Sequence, residues 1–311
     1  MKSCFTVVVF CLLFSSKSTI AQEVIEWGYF HYPPVFNVDK KTSKVTGYGF
    51  ELLNLVIQQI PEYQHHLTKM PLARMVQTMR AGKNICAYGM FKTKAREKHI
   101  LFSLPSRIGL QNSLVILKNN LHRFPQERPL SFEVLLQDPT LIYVTKKYVS
   151  YGVVIDDIFE KYRNNKNIIT LHSIGLGRQG IQMLLAKRVD YMLYDESALF
   201  EIEKLNARDK VVLLPIAELG KNKKQDIKTA SITLEQIEAQ KFDVQDFEVG
   251  HFVCTKNNWG KKAIARINQV LLDELTNDTF FSLITQGVPA NSVDNLKSLY
   301  QGLILTPANL P

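Results

Sequence analysis

Runs that favour strands alternate with runs that favour helices along most of this chain. Val24 to Phe30 favours a strand, Phe50 to Ile60 favours an amphipathic helix, and residues 140–215 repeat the alternation several times. A helix that connects two parallel strands packs on their sheet, so this order predicts an α/β fold with mainly parallel sheets. The chain has 311 residues, 46% of them hydrophobic, which suits about two domains and excludes intrinsic disorder.

The other predicted elements follow the same order. We expect strands over 84–90, 113–118, 140–145, 168–173, 189–194, 211–215 and 251–255, and helices over 71–81, 152–162, 179–188 and 198–205. Ile264, Ile267, Val270 and Leu271 mark the apolar face of a final helix. Residues 217–247 are rich in Lys and Gln with little apolar periodicity, so we expect an exposed insertion there.

Residues 1–21 have the three parts of a secretory signal peptide. Lys2 gives a basic start, an apolar run extends from Phe5 to Phe14, and Thr19 and Ala21 are small residues at the −3 and −1 positions. The apolar run is much shorter than the roughly 20 residues that a spanning helix needs. We therefore expect cleavage after Ala21 and a mature protein that is freely soluble outside the cytoplasm.

The chain is basic, with a formal net charge of +9, of which Lys2 and Lys17 supply two charges within the predicted signal peptide. Its Lys and Arg residues are dispersed rather than gathered in one stripe, so we expect no nucleic-acid partner. The basic surplus favours an anionic ligand or lipid headgroup, or it is only a solvated surface.

Cys86 and Cys254 are the cysteines outside the predicted signal peptide. An even number in an exported protein predicts a disulfide, and two separate buried thiols are the alternative. The seven His residues are scattered. The adjacent pair His65 and His66 cannot face one ion from a regular helix or strand, so we expect no metal site.

Sequence patterns also bear on cofactor binding and catalysis, and we expect neither. Gly175 to Gly180 reads GLGRQG and fits the dinucleotide pattern GxGxxG, with Asp195 following. The intervening helix is short and the acidic residue comes early, so we expect these glycines to shape a turn and expect no cofactor. The chain has no GxSxG or HExxH pattern, and paired cysteines cannot act as nucleophiles, so we expect no enzyme.

The stretch from Gly89 to Ser106 carries the most specific pattern. Thr93 and Arg96 form Thr-x-x-Arg, and Phe102-Ser103 follows five residues later. This pattern resembles the family 3 extracellular solute-binding proteins, which include polar amino-acid receptors of bacterial ABC importers. Three further segments agree with the family in order and spacing: Tyr32-Pro33-Pro34, Gly47 to Leu52, and Lys187 to Asp195. The resemblance spans about residues 24–290.

The resemblance implies a two-lobed periplasmic-binding-protein-like fold with ligand in the cleft between the lobes. Each lobe would be a mixed, mainly parallel sheet flanked by helices, and two crossings would join them. Lobe 1 would comprise residues 22–115 and 250–311, lobe 2 residues 116–216, and residues 217–249 the insertion and return crossing. Cys86 and Cys254 would then both lie in lobe 1.

The resemblance also implies roles for three residues. Arg96 would clamp a ligand carboxylate, Asp195 would receive an ammonium group, and Tyr32 would form an aromatic wall. A structural role remains open for each of them. Arg96 is alternatively a surface arginine, Asp195 a helix cap for the segment near Ser197, and Tyr32 a tyrosine packed against two prolines.

The chain departs from the usual amino-acid receptors near this motif. Tyr88, Gly89 and Phe91 stand where small hydroxyl residues often bind the carboxylate, which predicts a bulkier, more aromatic pocket. Arg74 follows Pro71, as in a divergent branch, and is either a second anion contact or a solvated helix residue. Two more candidates, Tyr148 and Ser150, either present hydroxyls and amides to an anion or cap a helix.

We therefore expect a monomeric periplasmic receptor that captures a small carboxylate-bearing solute by hinge closure. Its partner would be an ABC permease or a membrane sensor. One alternative is an enzyme on the same scaffold, similar to cyclohexadienyl dehydratase, with an acid that transfers a proton. Another is a signalling module with a vestigial pocket.

Overall fold

Two five-stranded sheets, each flanked by helices, form the computed structural model of this protein. It describes residues 22–110, 112–172, 176–193, 196–219, 247–274 and 277–286. The predicted signal peptide, most of the predicted insertion, Gly175, Asp195 and residues 287–311 lie outside these ranges.

The described strands and helices have the following bounds. The strands are β1 (Val24–Tyr29), β2 (Asn37–Val38), β3 (Val45–Thr46), β4 (Gln64–Lys69), β5 (Cys86–Phe91), β6 (Ile100–Leu110), β7 (Leu114–Leu117), β8 (Tyr143–Lys146), β9 (Ile168–Leu171), β10 (Tyr191–Leu193), β11 (Val211–Leu214) and β12 (Phe247–Thr255). The helices are α1 (Tyr48–Gln59), α2 (Leu72–Arg80), α3 (Lys94–Glu97), α4 (Phe132–Gln137), α5 (Val153–Tyr162), α6 (Leu176–Leu185), α7 (Glu196–Lys204), α8 (Asn258–Asp273) and α9 (Asp278–Ile284). A 3₁₀ helix covers Lys118–Arg123.

The strand order defines two units, which we call lobe 1 and lobe 2. Lobe 1 has the order β4-β1-β5-β12-β6, and lobe 2 has the order β11-β7-β10-β8-β9. The predicted α/β class and the mixed sheets are confirmed. Within each sheet two of the four pairings are antiparallel, which is a smaller parallel share than the sequence suggested.

Two strands that the sequence pattern missed lie at the edges of lobe 1. β4 reads QHHLTK and is largely exposed, so it lacks the alternation of a half-buried strand. β6 contains Pro105, which usually argues against a strand, but an edge strand tolerates proline because one side of its backbone needs no partner. The pairing of β6 with β12 is irregular around His251, the residue opposite Pro105.

A local turn delays β8, the second strand of lobe 2 along the chain, relative to the predicted range 140–145. The Thr140 backbone N–H and hydroxyl both donate to Asp138 Oδ1, at 2.8 and 2.7 Å. An aspartate that binds the backbone two residues ahead favours a turn over an extended strand. β8 therefore begins at Tyr143.

The chain leaves lobe 1 at the end of β6 and enters lobe 2 at β7. Between them, Asn112 is only 7% exposed, and its side-chain amide donates to the Tyr151 carbonyl at 3.1 Å. The chain re-enters lobe 1 at β12. No described helix is long and apolar enough to cross a membrane.

Cys86 and Cys254 form a disulfide between the neighbouring strands β5 and β12, as predicted. Both residues are fully buried. They lie in the same hydrophobic core as Trp27 and Phe252, whose rings meet edge to face at 6.0 Å between centroids. The bond therefore ties the late strand β12 to the early part of lobe 1 across 168 positions of sequence.

We predict that replacing both cysteines, Cys86→Ala and Cys254→Ala, destabilises the protein. A loop of this length corresponds to roughly 5 kcal/mol at most in the chain-entropy model. Urea unfolding of the oxidised protein and the double variant measures the difference. Equal unfolding free energies, or a mass of the oxidised protein that shows two free thiols, would contradict the assignment.

Candidate functional site

A cavity opens between the two lobes, and aromatic side chains dominate its described lining. Lobe 1 supplies most of the wall from β1 and the following turn, from α2 and from β5, while residues 149–151 supply the lobe 2 side. The aromatic lining residues are Tyr29, Phe30, Tyr32, Phe36, Tyr88, Phe91 and Tyr151. Arg96 and Arg107 are the charged residues in this described lining, and both are cationic.

Arg96 lies at the boundary of the lobes. It sits in the short helix α3, whose N-cap Thr93 accepts a hydrogen bond from the Arg96 backbone N–H at 3.2 Å. Its guanidinium donates through Nη1 to the Phe91 carbonyl at 2.7 Å and through Nη2 to the Tyr148 carbonyl of lobe 2 at 2.9 Å. One side chain therefore bonds both lobes and faces the cavity.

The surroundings of this guanidinium are poorly solvated. Burial lowers the pKa of Arg96 to about 10, and the nearby Asp156 carboxylate opposes part of that effect. The group therefore still carries its positive charge at neutral pH. A charged group in a poorly solvated place interacts with an opposite charge more strongly than it would in water.

Asp156 organises the lobe 2 side of the cavity. Its Oδ2 accepts from the Ser150 hydroxyl at 2.5 Å, and its Oδ1 accepts from the Tyr151 backbone N–H at 2.8 Å. The pKa of this carboxyl is raised above its ordinary value, because burial outweighs the lowering effects of these hydrogen bonds and of the Arg96 charge. Asp156 thus fixes the lining segment and places a negative charge near Arg96.

Four sequence-predicted residues from lobe 1 line the cavity together with Arg96. Tyr32 packs beside Phe30, with ring centroids 5.7 Å apart. Tyr88 is largely buried and its hydroxyl donates to the Ser106 carbonyl at 3.2 Å. The other two, Gly89 and Phe91, follow it on β5.

The three remaining candidates that the structure describes lie in different places. Arg74 is exposed on α2 and is not part of the described cavity lining. Tyr148 presents its backbone carbonyl to Arg96, while its ring lies within 5.9 Å of the Arg80 guanidinium carbon and 5.3 Å of Lys147 Nζ. Ser150 lines the cavity and is buried, with its hydroxyl bonded to Asp156.

Sequence reasoning missed Asp156, Arg107 and Asn112. Asp156 lies one turn into a helix whose start was predicted, where acidic residues are common for reasons of helix stability alone. Arg107 follows the Phe-Ser motif and carries no pattern of its own. The one sequence signal for Asn112 is that a polar residue stands just before β7, the strand at which the chain enters lobe 2.

His31 is a titratable group near the same boundary. Its Nδ1 accepts a hydrogen bond from the Val38 backbone N–H at 3.0 Å, so Nδ1 carries no proton. Burial lowers the pKa of His31, and nearby cations lower it further: Lys204 and Arg178 from lobe 2, and Lys69 and Lys40 from lobe 1. In the described part of the chain, no group of three or more His, Cys, Asp or Glu side chains could hold a metal ion.

Comparison with known proteins gives one family. Residues 28–287 match the family model described as bacterial extracellular solute-binding proteins, family 3. No curated protein sequence matches the chain. The family match covers most of the chain and includes the Thr93, Arg96, Phe102 and Ser103 motif.

Solved structures with the same fold support the two-lobed arrangement. A histidine kinase sensor domain with similarity to periplasmic binding proteins has a TM-score of 0.61 at 12% identity, covering 86% of this chain and 96% of its own. The arginine-, lysine-, histidine-binding protein ArtJ from Geobacillus stearothermophilus has 0.60 at 14%, covering 88% and 99%. A putative L-cystine ABC transporter from Listeria monocytogenes has 0.59 at 19%, covering 87% and 98%. At these identities the likeness concerns the fold alone.

We predict that Asp156→Asn lowers the unfolding free energy by about 1–3 kcal/mol, because a partly buried cation loses its nearby carboxylate and one acceptor becomes a donor. The exposed neighbour Asp157 provides a matched control, since Asp157→Asn should change stability by less than about 0.5 kcal/mol. Urea unfolding of the three proteins tests this. Equal effects of the two substitutions would show that Asp156 has no special role.

We predict that His31 makes the protein less stable as the medium becomes acidic. The folded protein protonates His31 less readily than the unfolded chain, whose pKa is near 6.5, so stability falls as the pH drops below that value. His31→Asn should reduce the loss of Tm between pH 7.5 and 5.0. Burial also lowers the pKa of His251, so part of the loss should persist.

The exposed His122 on the 3₁₀ helix offers the matched control. His122→Asn should leave the pH dependence of Tm as in the unmodified protein. A His31→Asn variant whose Tm falls as steeply with acid as that of the control would contradict the role assigned to His31.

Proposed function

This chain belongs to family 3 of the bacterial extracellular solute-binding proteins, and we propose that it is a periplasmic receptor closing its two lobes on a small carboxylate-bearing solute. The proposal is for binding rather than catalysis, since the family is one of solute-binding proteins. The solute would occupy the aromatic cavity between the lobes, with no cofactor required.

The observation that carries the proposal is the position of the Arg96 guanidinium. It faces a cavity lined mainly by aromatic and apolar residues, and it donates to two carbonyls through its two terminal nitrogens. A guanidinium has five N–H groups, so one hydrogen on each terminal nitrogen and the Nε hydrogen remain for a ligand. Their planar arrangement matches a carboxylate, and charge-assisted bonds of this kind are about twice as strong as neutral ones.

Closure follows from how lobe 2 reaches the site. Arg96 binds the Tyr148 carbonyl, and Asp156 holds the adjacent lining residues Ser150 and Tyr151. A solute held by Arg96 in lobe 1 would also contact these residues only when the lobes are together. The solute therefore favours the closed arrangement by the extra contacts made there.

The remaining predicted contacts complete the proposal. Asp195 would receive an ammonium group if the solute carries one, and Tyr32 and Tyr88 would pack on its apolar part. In the closed state the receptor, as a monomer, would be recognised by a membrane permease or a membrane sensor. Solved structures of an importer protein and of a sensor domain share this fold, so both kinds of membrane partner suit the proposal.

We predict that Arg96→Ala weakens binding of the solute at least about tenfold, because charge-assisted hydrogen bonds contribute about 1.5–3 kcal/mol each. Native mass spectrometry of protein purified without refolding, followed by a thermal-shift screen of amino acids and small acids, identifies the solute. Isothermal titration calorimetry then measures the affinity.

Two further variants sharpen this test. Arg74→Ala removes an exposed arginine outside the described cavity and should leave the affinity unchanged. Arg96→Lys keeps the charge but not the planar fork, so its affinity should be intermediate. A solute that binds the folded Arg96→Ala variant as tightly as the unmodified protein would refute the proposed site.

A further inference from the structure

Arg107 is a second cationic residue in the wall of the same cavity. It lies on β6 and is only 5% exposed, although its position in the chain suggested no ligand role. Arginine side chains are rarely buried so completely unless they interact with other groups. Its place in the wall puts a second positive charge beside the cavity.

The surroundings of Arg107 are shaped to hold its long side chain. A Cβ atom added at Gly250 would lie 3.2 Å from Arg107 Cβ and 3.4 Å from its Cδ, so larger residues there would crowd the stem. Gly89, with φ of +86°, adopts a backbone conformation that favours glycine and lies against the same Cδ. Arg107 Nε donates to the Tyr48 hydroxyl at 3.4 Å. The side chain is thus fixed before any ligand arrives.

Phe91 brings the two arginines into one region of the wall. Arg96 Nη1 donates to the Phe91 carbonyl at 2.7 Å, and the guanidinium carbon of Arg107 lies 5.5 Å from the centre of the Phe91 ring. The described cavity lining contains these two cations and no Asp or Glu. Asp156 lies behind Ser150 and acts on Arg96.

We propose that Arg107 forms a second anion subsite, so that the cavity prefers a flat apolar or aromatic solute with two acidic groups. This rests on the proposed function, because it assumes that one acidic group binds Arg96. The aromatic rings would pack on the body of the solute, while the two guanidinium groups would each bind one acidic group. An additional charge-assisted hydrogen bond raises affinity most where water is excluded.

Matched aromatic acids test this inference. Phenylacetate carries one carboxylate, and 1,3- and 1,4-phenylenediacetate carry two at different spacings. Calorimetry at 150 mM NaCl should give at least a tenfold tighter Kd for one of the diacids than for phenylacetate. Arg107→Gln should abolish that preference, because it weakens binding of the favoured diacid at least about fivefold more than binding of phenylacetate.

Two variants separate a local subsite from other effects. Arg107→Lys keeps the charge and should retain part of the preference. This variant keeps the test decisive if Arg107→Gln folds poorly. Arg74→Gln removes an exposed positive charge elsewhere on lobe 1 and should leave the preference intact. If Arg74→Gln reduces it as much as Arg107→Gln does, long-range attraction explains the result and the inference is overturned.

Failure of this inference and failure of the proposed function give different results. Equal affinities for phenylacetate and both diacids, or an equal loss for all three in Arg107→Gln, would overturn the second subsite while leaving Arg96 as a carboxylate site. Absence of binding by all three acids would also overturn it. The proposed function fails only if the wider panel of amino acids and small acids is silent as well.

Discussion

A single poorly solvated guanidinium connects the parts of this protein that matter for its site. Arg96 belongs to lobe 1, yet one of its two carbonyl acceptors, Tyr148, belongs to lobe 2. A charge removed from water must be compensated by hydrogen bonds and by opposite charge, since desolvation of an ion costs several kcal/mol. Here two carbonyls and the nearby Asp156 provide that compensation. The relative placement of the lobes around the cavity therefore depends on how this one charge is satisfied.

The same constraint explains why an acidic solute suits the cavity. Carbonyl groups carry only partial negative charge, and Asp156 is already occupied by Ser150 and Tyr151. A carboxylate that binds the remaining N–H groups of Arg96 would supply a full negative charge in a place where water screens it weakly. The aromatic walls exclude water and favour an apolar body for the solute. Binding and closure are then two consequences of one electrostatic requirement.

Much of the fold could be predicted because its signals are local. Buried strands and amphipathic helices give periodic patterns, and the two cysteines outside the predicted signal peptide predicted a disulfide, which the structure confirms. The edge strands β4 and β6 were missed because exposure removes the pattern of the first and Pro105 disguises the second. Both are edges of the lobe 1 sheet, where the physical demands on sequence are weakest.

The site could be predicted only where a motif carries it. Arg96 stands in a spaced pattern, and Tyr88, Gly89 and Phe91 on β5 were named from their positions just before that pattern. Arg107 and Asp156 reach the site through long-range packing: one is placed by β6 beside Gly89 and Gly250, the other by the start of α5. No local pattern marks such positions, because Gly250 beside Arg107 and Arg96 near Asp156 are far away in sequence.

The most direct test of the central claim is a crystal structure of the protein with the acid that binds it most tightly. The account predicts that the ligand lies in the cavity between the lobes, with a carboxylate within hydrogen-bonding distance of the Arg96 guanidinium. A ligand that binds elsewhere, or that lies in the cavity with its carboxylate turned away from Arg96, would contradict it.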